Sequence, residues 1–171
     1  MKQLSKKVIL IGNFGVGKTS LTNAFVHKRF SEDYLTTLGV KIDKKTIDIP
    51  AENTEEQDTQ LTLLIWDIAG EVAQEKVNKA YYLGSHGVIY VFDVTRPSTF
   101  EKMKEDLEYV ATLLPNAKVI VVGNKIDLID INSLESGLKH DYLCSAKTGE
   151  NVEKMFLELS KKILQKSVGQ V

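Results

Sequence analysis

The chain has 171 residues, 43% of them apolar and 26% charged, with a net charge of −1 and one cysteine, Cys144. That length and balance fit one domain, residues 1–171, with a sizeable core. The near-neutral charge gives no footprint for nucleic acid or an anionic membrane, and a lone cysteine excludes an internal disulfide or a cysteine metal cluster.

The longest apolar stretches, such as GVIYVF, are too short to span a bilayer. MKQLSKK is too polar for a signal peptide. Neither Lys2 nor the terminal KSVGQV carries a lipidation motif. The expectation is a cytoplasmic monomer with no nucleic-acid partner and no membrane insertion or lipid anchor.

In chain order, KVILIG (7–12) reads as a strand buried on both faces. A helix follows over 18–28. GVKIDKKTIDI (39–49) alternates apolar and polar, as a half-exposed edge strand does. It is expected to pair antiparallel with 60–66 through the acidic tip PAENTEEQDTQ, a solvated hairpin end. LTLLIW (61–66), GVIYVFD (87–93) and KVIVVG (118–123) read as further buried strands, and a sixth is expected before Ser145. Helices are expected over 72–83, 98–113 and 149–165, the last with an apolar stripe at Val152, Met155, Phe156, Leu159 and Ile163. Strands alternating with helices predict an α/β fold, a mostly parallel six-stranded sheet with helices on both faces.

The segment from Gly12 to Thr19 matches G-x-x-x-x-G-K-[ST] between a strand and a helix. Its glycines let backbone N–H groups over Asn13, Gly15, Val16, Gly17, Lys18, Thr19 and Ser20 point at phosphate oxygens, with the helix N-terminus behind them. Lys18 suits the β and γ phosphates and the Thr19 hydroxyl suits Mg²⁺. This pattern says phosphate without saying which nucleotide. At the end of the fifth strand stands Asn124-Lys-Ile-Asp127. Asp127 can accept from guanine N1–H and the exocyclic amine, donors that adenine lacks, so discrimination can be large. Asn124 can meet N7, and the Lys125 stem can lie over the ring. In Cys144-Ser145-Ala146-Lys147, at the next strand end, the Ala146 N–H can meet guanine O6 and Lys147 can cover the base.

Together these motifs resemble the Ras superfamily of small GTPases, in family order over nearly the whole chain. YLTTLGV and YYLGSHGVIYVFDVT look most like the Rab branch. The resemblance implies a P-loop NTPase G domain that binds GTP or GDP with Mg²⁺. It implies that Thr37 contacts Mg²⁺ and the γ-phosphate, that Asp67 holds a metal-bound water, and that the Gly70 N–H senses the γ-phosphate. Phe30 would pack on the base and Tyr34 close over the phosphates. Lys18, Gly70 and Glu71 would carry catalysis. Exchange factors, activating proteins and effectors would meet a switch surface of Ile42, Trp66 and Tyr81.

Four departures stand out. Glu71 replaces the usual glutamine; an ionised carboxylate only accepts hydrogen bonds and brings charge toward the γ-phosphate. Phe14 occupies a position that is usually small, near the γ-phosphate entrance, where it could exclude a partner's arginine or merely cover the loop. The stretch from Thr37 to Asp67 is longer than usual. The one from Asp127 to Ser145 is shorter, leaving SLESGLK (133–139) one or two helical turns at most. The two arginines, Arg29 and Arg96, lie away from the position of a built-in finger. Three functions follow: a GTP-hydrolysing switch, a GTP-binding interaction module with negligible hydrolysis, or an ATP-using enzyme if Asp127 has no role.

Overall fold

A computed structural model of the protein describes residues 1–33, 37, 39–51, 57–70 and 79–165. Its strands are β1 (Lys2–Ile11), β2 (Val40–Ile49), β3 (Thr59–Ile68), β4 (Gly87–Asp93), β5 (Lys118–Asn124) and β6 (Tyr142–Cys144). Its α-helices are α1 (Lys18–His27), α2 (Met103–Leu113) and α3 (Val152–Leu164). The strands form one sheet in the order β2-β3-β1-β4-β5-β6. Only the β2–β3 pair is antiparallel, as the alternation in 39–49 predicts.

Both faces of the sheet are covered, which is why β4 is buried at every position. On one face Val8, Leu10, Leu63 and Val91 pack with Leu21 and Phe25 of α1 and Met155, Phe156 and Leu159 of α3. The Phe25 and Phe156 rings stack at 4.0 Å and 7° between those two helices. On the other face Ile9, Tyr90, Phe92 and Val121 pack with Met103 and Val110 of α2.

Several boundaries differ from the sequence reading. β1 starts at Lys2 rather than Lys7, because its polar opening continues the parallel ladder with β3 from the Lys2–Thr59 rung. Lys2 N–H donates to Asp58 O at 2.9 Å and Leu4 packs against the core. The helix expected over 98–113 begins at Met103. A 3-10 turn at Pro97–Thr99 precedes it, where the Thr99 hydroxyl bonds the end of β4 instead of a helix. Of segment 133–139, residues 134–139 are not helical. The turn lies earlier, at Ile131–Ser133, capped by Asp130 accepting from the Asn132 N–H. Of the helix expected over 72–83, residues 72–78 lie outside the described residues, and Lys79–Tyr81 form a 3-10 turn.

Candidate functional site

The loops after β1, β3, β5 and β6 all leave the same edge of the sheet, where an open α/β sheet has its ligand crevice. They surround a cleft of about 390 Å³. Of the residues singled out in the sequence, Gly15, Gly17, Lys18, Thr19, Ser20, Phe30, Thr37, Asp67, Gly70, Asn124, Lys125, Asp127, Ala146 and Lys147 line it. Asn13, Val16 and Ser145 do not. Tyr34 and Glu71 lie outside the described residues.

The loop between β1 and α1 is held from outside, carbonyl by carbonyl. Lys18 Nζ donates back to Gly12 O at 2.8 Å and Asn13 O at 3.1 Å. Arg96 Nη2 donates to Phe14 O at 2.9 Å, and Lys125 Nζ to Gly15 O at 2.8 Å. Asn124 Nδ2 donates to Val16 O at 3.0 Å, and Leu21 N–H to Gly17 O at 2.9 Å. A loop whose carbonyls are engaged in this way leaves its N–H groups for an anion. Gly17, at φ 97°, opens α1, and a Cβ there would collide with the Asn124 amide. The first turn of α1 carries no acid of its own. Lys18 is buried, and that burial lowers its pKa to about 8 against the opposing pull of Asp67.

Asp67, the penultimate residue of β3, is almost fully buried. Its Oδ2 accepts from the Thr19 hydroxyl, which is itself 2.7 Å from Thr37 Oγ1. Its Oδ1 has no hydrogen-bond partner among the described residues. An orphaned buried carboxylate oxygen is costly, and burial raises the Asp67 pKa. A hard cation answers that deficit. Two adjacent ligands of an octahedral Mg²⁺ at about 2.1 Å lie about 3 Å apart, close to the separation of the two threonine hydroxyls. The donor set, one carboxylate and two hydroxyls beside a phosphate cradle, fits Mg²⁺. Gly70 follows so close to the loop that a Cβ would overlap Phe14 N and Cα.

At the other end of the cleft, Asp127 is presented by a left-handed Lys125, φ 72°, and the 3-10 turn Ile126–Leu128. Ser145 Oγ donates to Asp127 Oδ1 at 2.6 Å. Ser145 is fully buried, so it aims the acid rather than reaching into the cleft. The Ala146 N–H donates to Asn124 Oδ1 at 3.1 Å. Asn124 thus ties the β6 loop to the β1 loop, with one amide hydrogen uncommitted among the described residues. Lys147 Nζ meets Glu32 Oε1 at 3.2 Å across the cleft mouth, beside the partly exposed Phe30.

The comparisons with known proteins agree with this geometry. The family model described as Ras family matches residues 7–165. The chain is 37% identical over 173 residues to Ras-related protein Rab-1 of Theileria annulata, covering 94% of this chain and 74% of that protein. It is 41% identical over 135 residues to Ras-related protein Rab-7b of Mus musculus, covering 75% of this chain and 63% of that one. GTP-binding protein ypt1 of Schizosaccharomyces pombe is 31% identical over 170 residues, covering 94% and 80%. The chain belongs to the Ras family. It is a small GTPase of the Rab branch, a guanine-nucleotide molecular switch.

Two residues of this GTPase that sequence reasoning missed are Asp93 and Arg96. Asp93 closes β4 nearly fully buried. Its Oδ2 takes Lys125 Nζ at 2.7 Å and Arg96 Nε at 3.1 Å, while Oδ1 accepts from the Thr95 hydroxyl and N–H. Burial alone would raise its pKa, but Lys125 and Thr95 outweigh that and hold it below the usual carboxylate range. The available signal was an acid ending an apolar strand at the ligand edge of the sheet.

The residues expected at the partner surface do meet. Ile42 pairs with Trp66 across β2 and β3 and is exposed. The Trp66 and Tyr81 rings lie 6.5 Å apart. Lys7 Nζ sits 3.8 Å from the Trp66 ring centre and donates to Tyr81 O at 2.7 Å and Leu83 O at 3.0 Å. Among the described residues, no helix is long and apolar enough to cross a membrane.

Proposed function

We propose that residues 1–171 form one G domain that binds GTP and GDP with Mg²⁺, hydrolyses GTP to GDP and phosphate slowly without a partner, and signals through two switch loops. The observation that carries this reading is one cleft holding a phosphate cradle with Lys18 at one end and Asp127, braced by Ser145, at the other. The base end selects guanine. Asp127 accepts from N1–H and the exocyclic amine, Asn124 offers its spare amide hydrogen to N7, and Phe30, Lys125 and Lys147 flank the ring. The Ala146 N–H reaches O6 by leaving or sharing Asn124.

At the phosphate end, N–H groups of Asn13 and of Gly15 to Ser20 take the oxygens and Lys18 neutralises the β and γ groups. Thr19, Thr37 and, through a water, Asp67 would hold Mg²⁺, which offsets the charge on the β and γ oxygens. Thr37 and the Gly70 N–H lie in the two loops that the γ-phosphate ties down; its loss releases both. Tyr34 closes over the phosphates, and Glu71 accepts a hydrogen bond from the attacking water and orients it. Its carboxylate also brings negative charge toward the γ-phosphate, so hydrolysis is slow. Exchange factors, activating proteins and effectors dock at Ile42, Trp66 and Tyr81. The protein acts as a cytoplasmic monomer, with neither nucleic acid nor direct membrane insertion in its cycle.

Phe14, 38% exposed at the cleft mouth, favours a second reading, a GTP-binding interaction module with negligible intrinsic hydrolysis. Single-turnover conversion of bound GTP to GDP decides between them. A rate at or above about 10⁻⁴ s⁻¹, the order known for Ras-type GTPases, supports the switch. GTP that stays bound and intact supports the module. If Glu71→Gln leaves the rate unchanged, Glu71 has no role in hydrolysis.

A further inference from the structure

The carbonyls from Gly12 to Val16 are held by Lys18, by the Asn124-Lys125 pair, and by one residue outside every sequence motif, Arg96. Its guanidinium bridges two elements. Nε pairs with the buried Asp93 and Nη2 donates to Phe14 O. The same Asp93 oxygen also takes Lys125, which holds Gly15 O. A single buried carboxylate thus braces the two cations that fix two successive carbonyls. A weaker tie, Asn13 Nδ2 to Ser98 O at 3.4 Å, joins the same two loops.

Phe14 is the point where this brace matters most. On its other side Gly70 abuts Phe14 N and Cα with no room for a Cβ. The Phe14 peptide lies between the Arg96 clamp and the glycine that the proposed function assigns to γ-phosphate sensing.

We propose that Arg96 is a positioning residue for the γ-phosphate end of the cleft. By holding Phe14 O, it fixes the peptide plane that carries the Gly15 N–H and gives Gly70 a fixed surface to close on. The inference rests on the guanine-nucleotide reading of the cleft. It adds that preference between triphosphate and diphosphate is set partly from the β4 loop, by a residue that touches neither nucleotide nor metal.

The test is nucleotide affinity and release of GDP and of a non-hydrolysable GTP analogue for the full chain and three variants. Arg96→Ala is expected to weaken the GTP analogue about tenfold, the equivalent of one charge-assisted hydrogen bond, and GDP much less. Arg96→Lys, whose single ammonium cannot span Asp93 and Phe14 O as a fork does, is expected to recover only part of that ratio. Arg29→Ala, the other arginine, should leave it unchanged. A purely structural role would weaken both nucleotides equally. An unchanged ratio in both Arg96 variants, or an equal loss for the two nucleotides, overturns the proposal. If Arg96→Ala does not fold, the same ratio measured on Arg96→Lys decides the matter. Failure of the unaltered protein to bind either guanine nucleotide would instead overturn the reading of the cleft itself.

Discussion

Ser145 Oγ sits between Asp127 and the turn that follows it, donating to Asp127 Oδ1 at 2.6 Å while accepting from the Thr148 N–H at 3.1 Å. The acid is thus aimed by a neighbour that cannot reach the ligand. Ser145→Ala should speed release of a fluorescent GDP about tenfold, the loss of one hydrogen bond to a charged group, without admitting ADP. Asp127→Asn turns an acceptor toward a donor and should cost more, about a hundredfold. Competition by ADP checks both; equal behaviour of the two variants would contradict the assignment of separate aiming and reading roles.

Lys18 gives a pH signature. Burial lowers its pKa to about 8 in the protein without ligand, so its ammonium is partly lost above that pH. Anionic phosphates favour the protonated form, so nucleotide binding should take up a proton around and above pH 8, and affinity should fall as pH rises through that window. Calorimetry in buffers of differing ionisation enthalpy reads the uptake directly. The sign reverses for folding alone. The unfolded chain binds this proton more tightly, so Lys18 by itself disfavours the folded state below about pH 8, and that penalty fades as pH rises toward its ordinary value.

The proposed metal set predicts a linked pair of effects. Chelating Mg²⁺ should accelerate GDP release about tenfold in the unaltered protein. Thr19→Ala should already release GDP quickly and gain little more from a chelator. A full chelator response in Thr19→Ala would remove Thr19 from the metal site.

Lys7 ties β1 to the turn at Tyr81 and Leu83, and Trp66 is the one tryptophan of the chain, so the tie has a built-in reporter. Lys7→Met should leave the Tyr81 and Leu83 carbonyls without their donor and cost about 1–2 kcal/mol. It should also shift the Trp66 emission. Denaturant midpoints and emission spectra check the two parts, and an unchanged spectrum would mean that the cation does not rest on the indole in solution.

How much of this was legible beforehand follows from what each feature depends on. β4 and β5 were readable because a strand covered on both faces is apolar throughout. The phosphate and base loops were readable because their chemistry is packed into a few consecutive residues. Asp93 and Arg96 were not, since an acid at a strand end gains meaning only when the sheet order sets β4 between β1 and β5. The role of Ser145 turned on which way a buried hydroxyl faces. The opening of β1 was missed because its polar residues are sustained by the facing rungs of β3 rather than by their own pattern. Segment 133–139 failed for a local reason, as Asp130 opens a short turn at Ile131 that ends at Ser133.

The Phe25–Phe156 stack has a kinetic meaning. Phe25 lies on the helix that leads to Phe30, and Phe156 on the helix that follows Ala146 and Lys147. On the proposed reading, the two jaws around the base would hang from one pair of rings in the core, away from Thr37 and Gly70. Loss of the third phosphate would then free Thr37 and Gly70 while the rings stay stacked. Spent nucleotide would stay seated until an outside force parts α1 from α3 or pulls the cradle open, and the tempo of such a switch would belong to whatever supplies that force.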